Sequence, residues 1–198
     1  MSNYFESFPT LTYQDKPVKN ITMRVDILDD LRDDPYAFLP YTVMDGESPE
    51  EIANLYYGDA RLSWLVFLSN DIVDPNGQWP MSFRDFEETL AKKYEVKAKA
   101  AMNQTYMNTL QIINWTRDAT RTDNIVYYEY TGDDESGINE RINRDTYLYN
   151  TDIVAGDYVA IRIYDDEMNK NEENRNITLL NAEYVDQAVK NLKDLLNG

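Results

Sequence analysis

The sequence predicts an α+β fold, and three observations carry that prediction. Residues 39–80 place a short strand ahead of two punctuated helical stretches. Residues 125–130 and 158–164 are strand-like runs rich in Tyr, Ile and Val. Residues 181–196 carry a helical apolar stripe that ends the chain. The expected organisation is an extended N-terminal arm (1–38), a compact core with the helix that follows it (39–94), and a β-rich C-terminal half ending in a helix (95–198).

Composition supports a folded chain and narrows what it can do. The 198 residues suit one compact domain or two small ones, and a hydrophobic fraction of 42% is enough to build a core. Sixteen residues are Tyr, whose apolar body and polar tip suit surfaces half-buried against a partner and suit strands equally well. Net charge is 19 − 36 = −17, which repels phosphate backbones and anionic lipid. The densest basic cluster, Lys92, Lys93, Lys97 and Lys99, is interleaved with Glu and Ala and reads as a solvated helix face. Nucleic acid and membrane are therefore not expected as partners. No stretch approaches the roughly 20 apolar residues of a membrane span, and the start lacks the basic end and apolar run of a signal peptide.

The chain has no Cys and no His. Thiolate chemistry, disulfides, the commonest general base and the commonest transition-metal ligand are all absent with them. Catalysis would fall to paired carboxylates: Asp29/Asp30, Asp33/Asp34, Asp133/Asp134/Glu135 or Asp165/Asp166/Glu167. All lie in charged, loop-like contexts without the apolar walls that split two carboxyl pKa values. The run 133–137 lacks the alternate ligand spacing of a calcium loop. There is no nucleophile elbow and no phosphate-cradling glycine loop. The expectation is a protein that is not an enzyme and holds neither cofactor nor metal.

Element by element, the arm offers one alternating strand at 21–25, interrupted by Pro9, Pro17 and Pro35 on either side, and an exposed charged run at 29–34. Residues 39–43 read as a strand and Asp45-Gly46 as a turn. Ser48 with Glu51 three residues later, and Pro49 between, is a capping box with Pro at the first helical position. That helix runs to Gly58, with Ile52, Leu55 and Tyr56 on one face. Asp59 caps a second helix from 60 to 69, apolar on most sides, which Asn70 ends. A turn follows at 74–77. Ser82 and Asp85 open a helix over 82–101 with Phe83, Phe86, Leu90 and Tyr94 as its stripe. Residues 111–165 read as β, with strands at 125–130 and 158–164, a weaker one at 146–149, and loops at 132–137 and 165–174. The last helix begins near Asn181, with Val185, Ala188, Val189, Leu192, Leu195 and Leu196 as its stripe.

The segment Tyr41-Thr42-Val43 through Gly46-Glu47-Ser48-Pro49-Glu50-Glu51-Ile52-Ala53 resembles the opening of a LysM module, whose order is β-α-α-β. Extended through Asn54-Leu55-Tyr56-Tyr57-Gly58-Asp59 to Trp64, Asn70, Asp74-Pro75 and Trp79, it resembles a LysM-like baseplate wedge subunit of contractile-tailed phages, the gene-53 product type of the T-even phages. Asn171-Glu172-Glu173-Asn174-Arg175-Asn176-Ile177 with Leu179-Leu180 is similar to the close of such chains. The matching core covers 39–94. The resemblance implies a non-enzymatic subunit of the virion tail baseplate, assembled in the host cytoplasm. It would contact other wedge proteins and the sheath-initiating baseplate subunit, and clamp wedges around the central hub. Burial of apolar and Tyr surface would supply the contacts, with Tyr41, Tyr56, Tyr57, Trp64 and Trp79 as the expected anchors.

Two rival readings differ in what they require. A LysM-type peptidoglycan-binding module of a tail or cell-wall protein would grip N-acetylglucosamine chains with Asp45, Gly46, Glu47 and 70–74. The chain's acidity disfavours anionic wall polymers. A carboxylate-dependent hydrolase would need two acids in one cleft.

Overall fold

The computed structural model describes residues 8–20, 31, 34–132, 140–151 and 153–197. In chain order its elements begin with strands β1 (Thr10–Tyr13), β2 (Lys16–Lys19) and β3 (Phe38–Thr42). Helices α1 (Pro49–Tyr57), α2 (Ser63–Ser69), α3 (Pro75–Gln78), α4 (Phe83–Met102) and α5 (Thr109–Arg117) follow. Then come β4 (Ile125–Tyr130), β5 (Arg141–Ile142), α6 (Arg144–Tyr149), β6 (Tyr158–Arg162) and α7 (Ile163–Glu173). Strand β7 (Asn176–Leu180) and helix α8 (Val185–Asn197) close the chain. The fold is α+β. It divides into two compact units, one made of 1–80 with 174–198, the other of 81–173.

The first unit is built on local signals read correctly from sequence. Ser48 accepts from the Glu51 amide, and the Glu51 carboxylate returns to the Ser48 amide at 2.8 Å, so two orphan donors of α1 are satisfied. Gly58 ends the helix at φ +75, a conformation that disfavours any residue with a Cβ. Asp59 caps the short 3-10 turn Ala60–Leu62, which leads into α2. The buried face of α1 is Ile52 and Ala53, supported by Tyr56 and Tyr57. Leu55, expected on that face, is 77% exposed, because the core lies one residue further round the helix.

The partner of β3 comes from far along the chain. It pairs antiparallel with β7, from Phe38 opposite Leu180 to Thr42 opposite Asn176. Ile177, Leu179 and Leu180 of β7 are buried against Leu65 and Val66 of α2, and Val185, Ala188 and Leu192 of α8 join the same core. The order is therefore strand, helix, helix, strand, with the closing strand delivered after the whole second unit. Leu195 and Leu196, expected on the stripe of α8, have side chains outside the described set.

In the second unit α4 and α5 pack as a helical hairpin around Phe86, Leu90, Ile112, Ile113 and Trp115, with Ile163 of α7 in the same core. Phe83, expected on the stripe, is 53% exposed, and Ala91 and Ala98 take the inward positions instead. An antiparallel sheet in the order β5-β4-β6 accompanies the helices. Asn171 ties the ends of this unit together. Its Oδ1 accepts from the Met81 amide at 2.7 Å and its Nδ2 donates to the Met81 carbonyl at 3.2 Å.

Several expected elements are corrected. Residues 109–117 are helix, not strand. Asn108 and Gln111 form a second capping box, and burial of Ile112, Ile113, Trp115 and Thr116 on one side overrides the β preference of the isoleucines. Residues 144–149 are also helical, capped by Asn143, with Tyr147 stacked on Tyr128 at 3.8 Å between ring centroids. Residues 165–173, read as loop, belong to α7, where Asp166 and Lys170 pair at 2.6 Å one turn apart. The arm contains the hairpin β1–β2, which was not expected. The expected strand at 21–25, most of the charged run at 29–34 and most of the loop at 132–137 lie outside the described residues.

Candidate partner-binding surface

The turn between β3 and α1 is organised by Glu47. Its Oε1 accepts from the Tyr41 hydroxyl at 2.8 Å and its Oε2 from the Met44 amide at 3.0 Å. Burial, followed by the Glu47 carboxylate, pushes the Tyr41 phenol up to about 12. The Glu47 carbonyl accepts from Trp79 Nε1 at 3.0 Å. Trp79 in turn meets Phe67 edge to face, 5.9 Å between centroids. A side chain thirty-two positions downstream thus braces the outer wall of α2.

That wall lines an open apolar cleft of about 650 Å³. Trp64, Phe67 and Leu68 of α2 line it together with Ile72, Val73 and Pro75. Glu50, Arg61 and Ser63 stand among the remaining lining residues. The lip is held in shape by Gln78, whose Oε1 accepts from the amides of Val73 and Asp74, both at 2.8 Å. Asp74 also caps α3 through the Asn76 amide. Arg61 is held by Asp59: Nε to Oδ1 is 2.9 Å and Nη2 to Oδ2 is 2.8 Å. Hydrogen bonds from the Arg61 guanidinium and amide hold the Asp59 carboxyl down at about 2.

The expected anchors distribute unevenly over this geometry. Trp64 lines the cleft, Trp79 contacts its wall through Phe67, and both also pack half-buried against the core of the first unit. Tyr41, Tyr56 and Tyr57 pack half-buried against the core of the first unit and do not line it. Tyr56 and Tyr57 meet edge to face at 5.0 Å, and burial raises the Tyr57 phenol. Of the other lining residues, none was an expected protein-binding anchor, although Ile72 and Val73 fall in the 70–74 segment that the glycan-binding reading would use. Val73, 68% exposed beside an apolar neighbour, is the one residue whose sequence setting, Ile-Val between two Asp, offered a clue.

A shallower concavity lies on the turn itself, among Met44, Asp45, Gly46, Glu47, Glu51, Asn54 and Leu55. Its rim is acidic, and Glu47 is committed to Tyr41 and Met44. Among the described residues no three acidic side chains converge as a metal site, and no helix is long and apolar enough to cross a membrane.

The arrangement offers apolar area and a shaped lip, with charge only at the edges. Such a surface can bury apolar side chains of another chain. The family model for base plate wedge protein 53 matches residues 17–195, spanning both units. The chain belongs to the base plate wedge protein 53 family. Comparison with curated proteins finds no match. Membership makes the protein a structural component of a phage tail baseplate, located in the virion tail and working in contact with other baseplate components.

Proposed function

We propose that this wedge protein 53 family member joins neighbouring wedge proteins and helps clamp wedges around the central hub, beside the sheath-initiating subunit. On this reading the first unit is a LysM-like adaptor turned to protein binding, and assembly takes place in the host cytoplasm. The strand-helix-helix-strand order of β3, α1, α2 and β7 supports the LysM-like reading. The observation that carries the functional one is the apolar cleft lined by half-buried Trp64 and Phe67 and by exposed Val73, on a chain of net charge −17. Exposed apolar concavities on otherwise charged proteins mark docking sites. Tyr41, Tyr56, Tyr57 and Trp79 then act by holding the cleft's supporting structure, and Trp64 acts as the direct anchor.

The test is co-elution of the full chain with purified wedge proteins, wild type against Val73→Asp. Val73 is exposed, so the substitution spares the core while placing a charge in the docking surface. The expected outcome is an unchanged melting temperature and at least about tenfold weaker association. Undiminished association of the variant would overturn the cleft as the docking site. The glycan reading is separated by a peptidoglycan pull-down; the acidic rim formed by Asp45, Glu47 and Glu51 predicts no retention.

A further inference from the structure

The hairpin β1–β2 presents an open strand edge, and the chemistry of its two edges differs. Gln14 and Asp15 turn the chain with positive φ values of 49 and 60, the two-residue turn that suits strand twist. The register pairs Tyr13 with Lys16 and Leu11 with Val18, and the Asn20 amide donates to the Pro9 carbonyl at 2.9 Å. These pairs exchange the hairpin's own hydrogen bonds. The intervening pairs, Thr12 with Pro17 and Thr10 with Lys19, therefore turn their main-chain groups away from the partner strand. On the outer edge of β2, position 17 is Pro and has no N–H to offer. On the outer edge of β1, Thr10 and Thr12 each present both an N–H and a carbonyl.

Nothing among the described residues covers that edge. Every residue of both strands is exposed, and no hydrogen bond of the described residues reaches the outward groups of Thr10 or Thr12. Leu11, Tyr13 and Val18 share one face with Lys16 and are 49%, 65% and 40% exposed. An isolated two-stranded ribbon is marginal in water. The base of this one is nevertheless anchored, because Phe8 is buried in the core of the first unit and its carbonyl accepts from Lys19 Nζ at 2.7 Å.

We infer that β1 is a docking strand: its outer edge accepts an extended segment of a different protein chain, which becomes the third strand of the hairpin's sheet. The occupant is a polypeptide backbone because donors and acceptors alternating at every second residue are matched by another strand. Its side chains facing Leu11 and Tyr13 are apolar. The donor is a chain other than this one. Residues Thr10–Tyr13 carry no charge, while the chain as a whole carries −17, so a second copy would bring its own −17 against the first. This surface is separate from the Trp64 cleft.

The experiment uses the full chain with the purified wedge proteins as the probe, and site-resolved amide exchange as the readout. The Thr10 and Thr12 amides exchange quickly in the isolated monomer and slow by about a hundredfold or more in the assembled wedge. Thr12→Pro deletes one outward N–H without removing any bond within the hairpin and weakens association by about tenfold. Thr12→Val keeps the N–H and binds as wild type does. Three outcomes overturn the inference. They are unchanged exchange in the assembly with wild-type binding by Thr12→Pro, protection already present in the isolated monomer, and protection that appears with a sedimenting dimer of this chain alone. Failure of Val73→Asp to weaken binding would leave these results intact, so the two surfaces are tested independently.

Discussion

Asn70 and Thr178 stand 108 residues apart in sequence and are joined as though they were neighbours on paired strands. The Thr178 amide donates to Asn70 Oδ1 at 2.8 Å, and Asn70 Nδ2 donates to the Thr178 carbonyl at 2.8 Å. The same Nδ2 reaches the Val66 carbonyl at 2.8 Å. One carboxamide thus ends α2 and holds β7 in place. Ala can make none of these three bonds, and the Thr178 main chain is left part-buried without its Asn70 partner. Asn70→Ala is expected to destabilise the first unit by about 2 kcal/mol, measured by urea unfolding of the full chain. A change within about 0.5 kcal/mol would show that the clasp contributes little.

A second carboxamide does comparable work at the ends of the second unit, where Asn171 grips both main-chain groups of Met81. The two ends of 81–173 are therefore side by side, as an inserted unit requires. Replacing 81–173 by a short Gly-Ser linker keeps the Phe8, Ile52, Leu65 and Leu179 core intact. The shortened chain is expected to unfold in a single cooperative transition. A broad, non-cooperative melt would show that the first unit depends on the second.

The cap of α1 gives a cleaner local test. A Cβ at Gly58 would meet nothing within 4 Å, so the cost of Gly58→Ala comes from its φ of +75 alone. The expected loss is about 1 kcal/mol, with Gly58→Asn intermediate because Asn tolerates the left-handed region. If Ala and Asn proved equal to Gly by thermal unfolding, the conformational argument would fail.

How much of this was legible in the sequence depended on how local the cause was. Helix α1 was readable because Ser48, Pro49, Glu51 and Gly58 specify it within eleven residues. Helix α5 was not, because the Asn108–Gln111 box is the less familiar form and Ile112-Ile113 argue for a strand when seen without their burial. Helix α6 is a Tyr-bearing run whose place is set by the stack of Tyr147 on Tyr128, a tertiary contact. The hairpin turn is Gln14-Asp15, which lacks the Asn-Gly or Asp-Gly signature that announces such turns. In the candidate site, Trp64 was visible as a large aromatic in an apolar helix. Which face of that helix is buried was decided by β7, which arrives more than a hundred residues later and packs over Leu65 and Val66, while the half-buried Trp64 and Phe67 line the cleft.

The ion pair beside the cleft sets a pH dependence with a defined sign. Hydrogen bonds from Arg61 hold the Asp59 carboxyl at about 2, below its ordinary 3.8. A carboxyl depressed in the folded state contributes stability that is fully present above the unfolded value and is lost as pH falls through the folded one. The contribution should therefore be constant from neutral pH down to about 4 and fade between there and 2. Asp59→Asn keeps the capping oxygen for the Arg61 amide and removes only the charge, so the stability gap between variant and wild type should close over that same window. Carbon-detected NMR should give the Asp59 carboxyl a midpoint near 2 in the wild type, returning towards 3.8 in Arg61→Ala. A wild-type midpoint near 3.8 would mean that Arg61 is not held at the rim of the cleft in solution, and the fixed shape of that rim would lose its support.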